Sequence, residues 1–68
     1  MYSITLSYDG HKIAHAESAM FTEAVDKAID EMPAAYMAVP SDIDLHCEGG
    51  KKAFGVRLSD YLGVFPNV

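Results

Sequence analysis

The chain has 68 residues, half of them hydrophobic, and a formal net charge of −5. This length supports one small domain with a modest core, and the hydrophobic fraction is too high for a disordered tail. No apolar run reaches the roughly 20 residues of a membrane-spanning helix, a single cysteine cannot form an internal disulfide, and no basic and apolar leader precedes the first predicted strand. We therefore expect one cytoplasmic domain over residues 1–68.

The first predicted element is a β-hairpin over residues 2–17, because Asp9-Gly10 suits a two-residue type I′ turn. Counting outward from that turn gives four core-facing pairs: Tyr8–His11, Leu6–Ile13, Ile4–His15 and Tyr2–Glu17. On this register His11 lies at the rim of the sheet, and His15 is half-buried in the core.

The segment FTEAVDKAIDEMP, residues 21–33, predicts an amphipathic helix. Its apolar residues recur at helical spacing and form one stripe: Phe21, Ala24, Val25, Ala28, Ile29 and Met32. Thr22 is the first candidate for the N-cap, and Ser18 is an alternative that would add a turn. Pro33 either ends this helix or opens a second short one over residues 33–39.

A second hairpin is predicted over residues 42–58, with Gly49-Gly50 as its turn. The expected cross-strand pairs are Glu48–Lys51, Cys47–Lys52, His46–Ala53, Leu45–Phe54, Asp44–Gly55, Ile43–Val56 and Asp42–Arg57. SDYLG then predicts a turn or one helical turn, capped by Ser59 and ending at Gly63. The order ββαββ indicates an α+β fold, a four-stranded antiparallel sheet with one main helix packed on one face.

Acidic residues are concentrated in the middle of the chain. Residues 23–48 carry a net charge of −6, with Lys27 as the only base, whereas the other residues sum to +1. The acids of this segment are Glu23, Asp26, Asp30, Glu31, Asp42, Asp44 and Glu48. The chain lacks the clustered bases that neutralise phosphates, so we expect no direct nucleic-acid binding and a basic protein as partner. Tyr36 and Met37 lie within the same segment and are candidate apolar anchors.

The alternating row Asp42, Asp44, His46 and Glu48 contains metal-ligand residue types. Alternate strand positions lie about 6.8 Å apart, too far for four side chains to converge on one ion, so a solvated sheet face is the simpler interpretation. Cys47 falls on the apolar side and is expected to be a buried thiol. No catalytic signature is present, and we expect neither an enzyme nor a cofactor.

In size, acidity and layout the chain resembles the small phage-encoded inhibitors of the anti-CRISPR type, which share no common motif. That resemblance implies a protein that blocks a nuclease or guide-RNA effector complex in the bacterial cytosol. FTEAVDKAIDEM after a hairpin is also similar to the start of a HicB-type antitoxin, over about half the chain. The family's proline- and glycine-containing stretch and its DNA-binding tail are absent.

The expected function is therefore inhibition of a nucleic-acid-handling protein through an acidic surface. The predicted partner-binding residues are Glu23, Asp26, Asp30, Glu31, Tyr36, Met37, Asp42, Asp44 and Glu48. One alternative is an antitoxin or regulatory subunit that neutralises a basic toxin, with dimerisation. Another is a metal-dependent protein that uses Asp42, Asp44 and His46.

Overall fold

The structure is a computed structural model that describes residues 1–49 and 54–64. Its elements are β1 (Tyr2–Tyr8), β2 (His11–Ser18), α1 (Phe21–Glu31), two 3₁₀ helices (Ala34–Ala38 and Pro40–Asp42), β3 (Ile43–Gly49), β4 (Phe54–Arg57) and α2 (Leu58–Val64). The strands form one antiparallel sheet in the order β2-β1-β3-β4. The predicted α+β fold is confirmed.

The first hairpin turns where predicted, but its register changes partway along β2. Asp9 and Gly10 have φ values of 51° and 80°, as a type I′ turn requires. Tyr8 pairs with His11 as predicted, and the register then shifts by one residue, so that Leu6 faces Ala14. The predicted Leu6–Ile13, Ile4–His15 and Tyr2–Glu17 pairs are therefore wrong.

This β-bulge exchanges the faces of the residues that follow it, because side chains alternate along a strand. Ala14 lies in the core with 8% exposure, and His15 is exposed on the opposite, open face of the sheet. The prediction of a half-buried core His15 is thus wrong. Small side chains suit the core side of β2 because α1 packs over this strand and presents Ala24 and Ala28 to the core.

The predicted stripe of α1 is confirmed as its buried side. Ala24, Val25 and Ala28 are fully buried, and Met32 is nearly so. The cap predictions are wrong, because Met20 occupies the N-cap position. Ser18 instead accepts a hydrogen bond at 3.3 Å from the Met20 backbone N–H, in the turn before the helix. After Pro33 the chain continues as a 3₁₀ helix, not as a second α-helix.

The strand pair β3–β4 keeps the predicted faces with a different register. Asp44 pairs with Arg57 and Leu45 with Val56, a shift of two residues from the predicted pairs. A two-residue shift preserves the alternation, so Ile43, Leu45 and Cys47 are buried as predicted. Asp42 ends a 3₁₀ helix and is not part of the strand. The predicted partners Lys51, Lys52 and Ala53 lie outside the described residues.

Helix α2 covers the apolar face of the sheet together with α1. It begins at Leu58, so Ser59 is inside the helix and is not its cap, and it extends through Val64. Leu58 is fully buried and Tyr61 is 8% exposed, and both belong to the same core as the α1 stripe. The rings of Phe21 and Tyr61 meet edge to face with centroids 5.9 Å apart. The helical turn that was one option for SDYLG is thus a short second helix, which covers the sheet together with the main helix α1.

Candidate functional site

A groove of about 520 Å³ lies on the helical side of the molecule, between α1, the 3₁₀ helix Ala34–Ala38 and α2. It is lined by Thr22, Asp26, Ile29, Asp30, Met37, Tyr61 and Leu62. Because residues four apart lie on one face of a helix, Thr22, Asp26 and Asp30 form a polar rim along α1. The remaining residues give the groove an apolar floor and opposite wall.

The rim of the groove carries two carboxylates, those of Asp26 and Asp30. Asp26 and Asp30 are exposed, and neither forms an ion pair with any of the described residues. Glu23, on the same helix, is instead paired with Lys27 at 3.3 Å. Burial, and secondarily the Asp26 charge, raises the pKa of Tyr61, which keeps that phenol neutral. The negative charge along this rim is therefore not paired with any cation in residues 1–49 and 54–64.

Apolar side chains next to these carboxylates are accessible to a partner. Met37 is 40% exposed, and Ile29 and Leu62 are half-buried. Tyr36, the other predicted anchor, does not line the groove. Its half-buried ring packs on the ring of Tyr8, with centroids 5.4 Å apart. Tyr36 therefore connects the 3₁₀ helix Ala34–Ala38 to strand β1 of the sheet. Met37 is thus the predicted anchor that the fold leaves open to contact.

Two other predicted acids line a separate pocket at the end of the sheet. This pocket is formed by Tyr8, Asp9, Gly10, Asp42, Asp44 and Arg57. Arg57 Nη1 lies 3.3 Å from Asp44 Oδ1, so Arg57 pairs with Asp44 and not with Asp42 as predicted. Asp9 reaches this pocket from the β1–β2 turn. The sequence marked Asp9 as a turn residue and gave no signal that the turn lies beside Asp42.

The open face of the sheet carries a row of hydroxyls between two histidines. Thr5 pairs with His15 on one side and with His46 on the other. The two ring nitrogens of His15 lie 3.1 Å from Thr5 Oγ1 and 3.3 Å from Ser3 Oγ. His46 Nε2 lies 3.1 Å from Glu48 Oε1. This predicted solvated face is a network of paired polar groups.

The geometry gives no support to the metal alternative. Within residues 1–49 and 54–64 no three His, Cys, Asp or Glu side chains are grouped so that they could hold one ion. Asp42 ends a 3₁₀ helix, whereas on β3 Asp44 pairs with Arg57 and His46 with Glu48. Cys47 is fully buried, and burial, followed by the Glu48 charge, raises the pKa of its thiol. A raised pKa disfavours the thiolate, which is consistent with a packing role.

The nine predicted partner-binding residues are therefore distributed over several surfaces. Asp26, Asp30 and Met37 share the groove. Glu23 and Glu31 are exposed on α1 outside it, Asp42 and Asp44 lie at the end of the sheet, and Glu48 is on the open face. The groove residues that sequence reasoning missed are Thr22, Ile29, Tyr61 and Leu62. The sequence predicts Ile29 as part of the buried stripe of α1. Tyr61 and Leu62 lie on α2, which is longer than the single helical turn that the sequence predicts.

Comparisons with protein-family models, with curated proteins and with solved structures yield no match to this chain. Among the described helices, none combines the length and the apolar character needed to cross a bilayer.

Proposed function

We propose that the protein is a small inhibitor of the anti-CRISPR type, which binds a nucleic-acid-handling protein or complex and blocks it. The observation that carries this proposal is the pair of carboxylates of Asp26 and Asp30. They have no ion-pair partner among the described residues, and they lie beside the accessible apolar side chains of the groove. Proteins that hold nucleic acid expose basic surfaces, and such a surface complements this rim. The groove side is then the side that faces the target.

Charge and apolar contact have different roles in this proposal. Exposed ion pairs contribute only about 0–1 kcal/mol each, because water and salt screen them. Asp26 and Asp30 would mainly steer and orient the basic partner, and would make its association depend on salt. Affinity would come from desolvated apolar contacts near the centre of the interface, where Met37 is the accessible side chain.

The first test is affinity capture from bacterial lysate with the tagged protein, washed at low and at high salt, followed by mass spectrometry. We expect one nucleic-acid-handling complex that is lost at high salt. A single small basic protein would instead favour the antitoxin alternative. Displacement of labelled nucleic acid from the captured complex, followed by fluorescence anisotropy, then tests inhibition directly.

Charge reversal provides a matched control within one helix. Asp26→Lys with Asp30→Lys and Glu23→Lys with Glu31→Lys each change the net charge from −5 to −1. The first pair lines the groove and the second does not. We expect the groove variant to lose at least about tenfold more affinity than the control, or roughly 1.4 kcal/mol. Equal losses would indicate a non-specific charge effect and refute the groove as the binding surface.

A further inference from the structure

The helix sets the backbone spacing of the two rim aspartates. Asp26 and Asp30 are four residues apart on α1, which corresponds to about 6 Å along the helix axis. Basic residues at positions i and i+4 of a second helix have the same separation. A helix that lies along α1 can therefore direct both of its cations to this rim without a change in backbone geometry.

The floor of the groove is suited to the apolar side chains of such a helix. Among its apolar lining residues Tyr61 is buried, Ile29 and Leu62 are half-buried, and Met37 is exposed. Methionine is unbranched and polarisable, so Met37 can adapt to the shape of an incoming side chain. A volume of about 520 Å³ accommodates side chains from one face of a helix, but it cannot enclose the whole helix.

A small ligand fits the same groove less well. Small-molecule sites bury about 70–90% or more of their ligand's surface. Thr22, Asp26 and Asp30 are all exposed, so the rim stands open to water along its length. A nucleic acid would face repulsion from the two carboxylates. The open groove and its charge therefore favour a basic segment of a protein.

We infer that this groove binds an amphipathic helical segment of the partner, with two basic residues one turn apart and an aliphatic residue on the neighbouring stripe. This inference rests on the proposed function for its biological partner, since it names the part of the target that is recognised. The mode is helix-in-groove recognition, with the anchor residue on the floor and the cations on the rim.

The test uses the full-length protein labelled with ¹⁵N and three alanine-based peptides of about 16 residues, a length at which isolated helices begin to form. The first carries arginines at i and i+4 and leucine at i+3. The second replaces that leucine with serine, and the third places the arginines at i and i+2 so that they point in different directions. Circular dichroism confirms equal helicity, and amide shift changes report both affinity and location.

We expect the first peptide to shift the amides of Asp26, Ile29, Met37 and Leu62, and the other two to bind at least about tenfold more weakly. Met37→Gln should weaken the first peptide several-fold, whereas Glu23→Gln with Glu31→Gln should leave it nearly unchanged. Equal affinities for all three peptides, or shifts centred on Asp42 or Glu48, would overturn the inference. No binding of the first peptide would do the same.

Other occupants are distinguished by two further measurements. Binding of spermidine to the same amides as tightly as the first peptide would identify a polyamine site. A dimer in sedimentation equilibrium that Met37→Gln dissociates would assign the groove to a second copy of the chain. Either result overturns the inference. If the first peptide binds but the protein displaces no nucleic acid from its target, only the proposed inhibitor function fails.

Discussion

The β-bulge in β2 can be tested by placing the same residue at two adjacent positions. Ala14→Asp and His15→Asp each add one negative charge, but Ala14 is 8% exposed in the core and His15 is exposed on the open face. A buried carboxyl stays protonated, and holding it neutral at pH 7 costs about 4 kcal/mol, from a pKa of about 3.9 when unfolded. At about 0.05–0.15 kcal/mol per residue, a chain of 68 residues has a total stability of about 3–10 kcal/mol, so this substitution removes at least about two fifths of it.

The exposed position should tolerate the same change. His15→Asp removes the contacts of the ring with Ser3 and Thr5, which are exposed hydrogen bonds. With the lower β-propensity of aspartate, the expected loss is about 1 kcal/mol. Urea unfolding followed by circular dichroism gives both free energies of unfolding. Without the bulge, the register set by the Asp9-Gly10 turn would continue along β2 and would place His15 on the core face and Ala14 on the open face. A larger loss of stability for His15→Asp than for Ala14→Asp would therefore refute the bulge.

The pH dependence of the free energy of unfolding provides a second test with the same two variants. The pKa of the carboxyl in Ala14→Asp is raised in the folded state, so the folded protein binds more protons than the unfolded chain. Its stability relative to the wild type should fall by about 1.4 kcal/mol per pH unit from pH 4 upward, until the folded pKa is reached. The exposed carboxyl in His15→Asp should show a much weaker dependence. Parallel profiles for the two variants would contradict the assigned burial.

Three further predictions concern β3. Leu45→Ala should lower the free energy of unfolding in urea by about 2–5 kcal/mol, because Leu45 is fully buried in the sheet. Asp44→Asn should cost under about 1 kcal/mol, and less at high salt, because its pair with Arg57 is more than half exposed; a larger, salt-independent loss would contradict this. Cys47 should react with a thiol reagent at pH 8 at least about 100-fold more slowly in the native protein than in denaturant, because the reaction requires opening of the core. Equal rates would show that the thiol is accessible in the native protein.

Patterns that depend on neighbouring residues were predicted well from the sequence. The stripe of α1 and the alternation of β3 follow from the periods of a helix and a strand, so the buried residues of both elements were identified. The turn at Asp9-Gly10 was also correct, because few dipeptides adopt two positive φ values in succession. In each case the local chemistry and the tertiary packing require the same arrangement.

The bulge in β2 had no comparable signal. In HKIAHAES, histidine and alanine are tolerated on either face of a sheet, so the alternation fits both registers. The outcome is decided by α1, whose close packing favours small side chains at positions 14 and 16. The β3–β4 register was ambiguous for a related reason, since a two-residue shift leaves the same residues buried. Local sequence cannot choose between arrangements that differ only in long-range contacts.

The candidate site was predicted in part. Three residues that line the groove, Asp26, Asp30 and Met37, are among the partner-binding residues predicted from the sequence, because charge and hydropathy are read residue by residue. The sequence did not place them in one groove, which depends on the position of α2 and of the 3₁₀ helix. The net charge of −6 over residues 23–48 is likewise a property of the sequence and does not show which of its acids share a surface. The acids of this segment are close in sequence but are divided between the two sides of the sheet.

This division restricts how the protein can act on a target. A standard interface buries about 800 Å² per partner, about a fifth of the 4453 Å² exposed here. Such an interface covers one side of a small domain, so a single flat partner cannot contact the groove on the helical side and Glu48 on the open face together. Imitation of a continuous nucleic-acid backbone would require the acids to form one uninterrupted row. Under the proposed function, the protein would instead dock through the groove, where charge and accessible apolar surface coincide, and obstruct its target by its bulk.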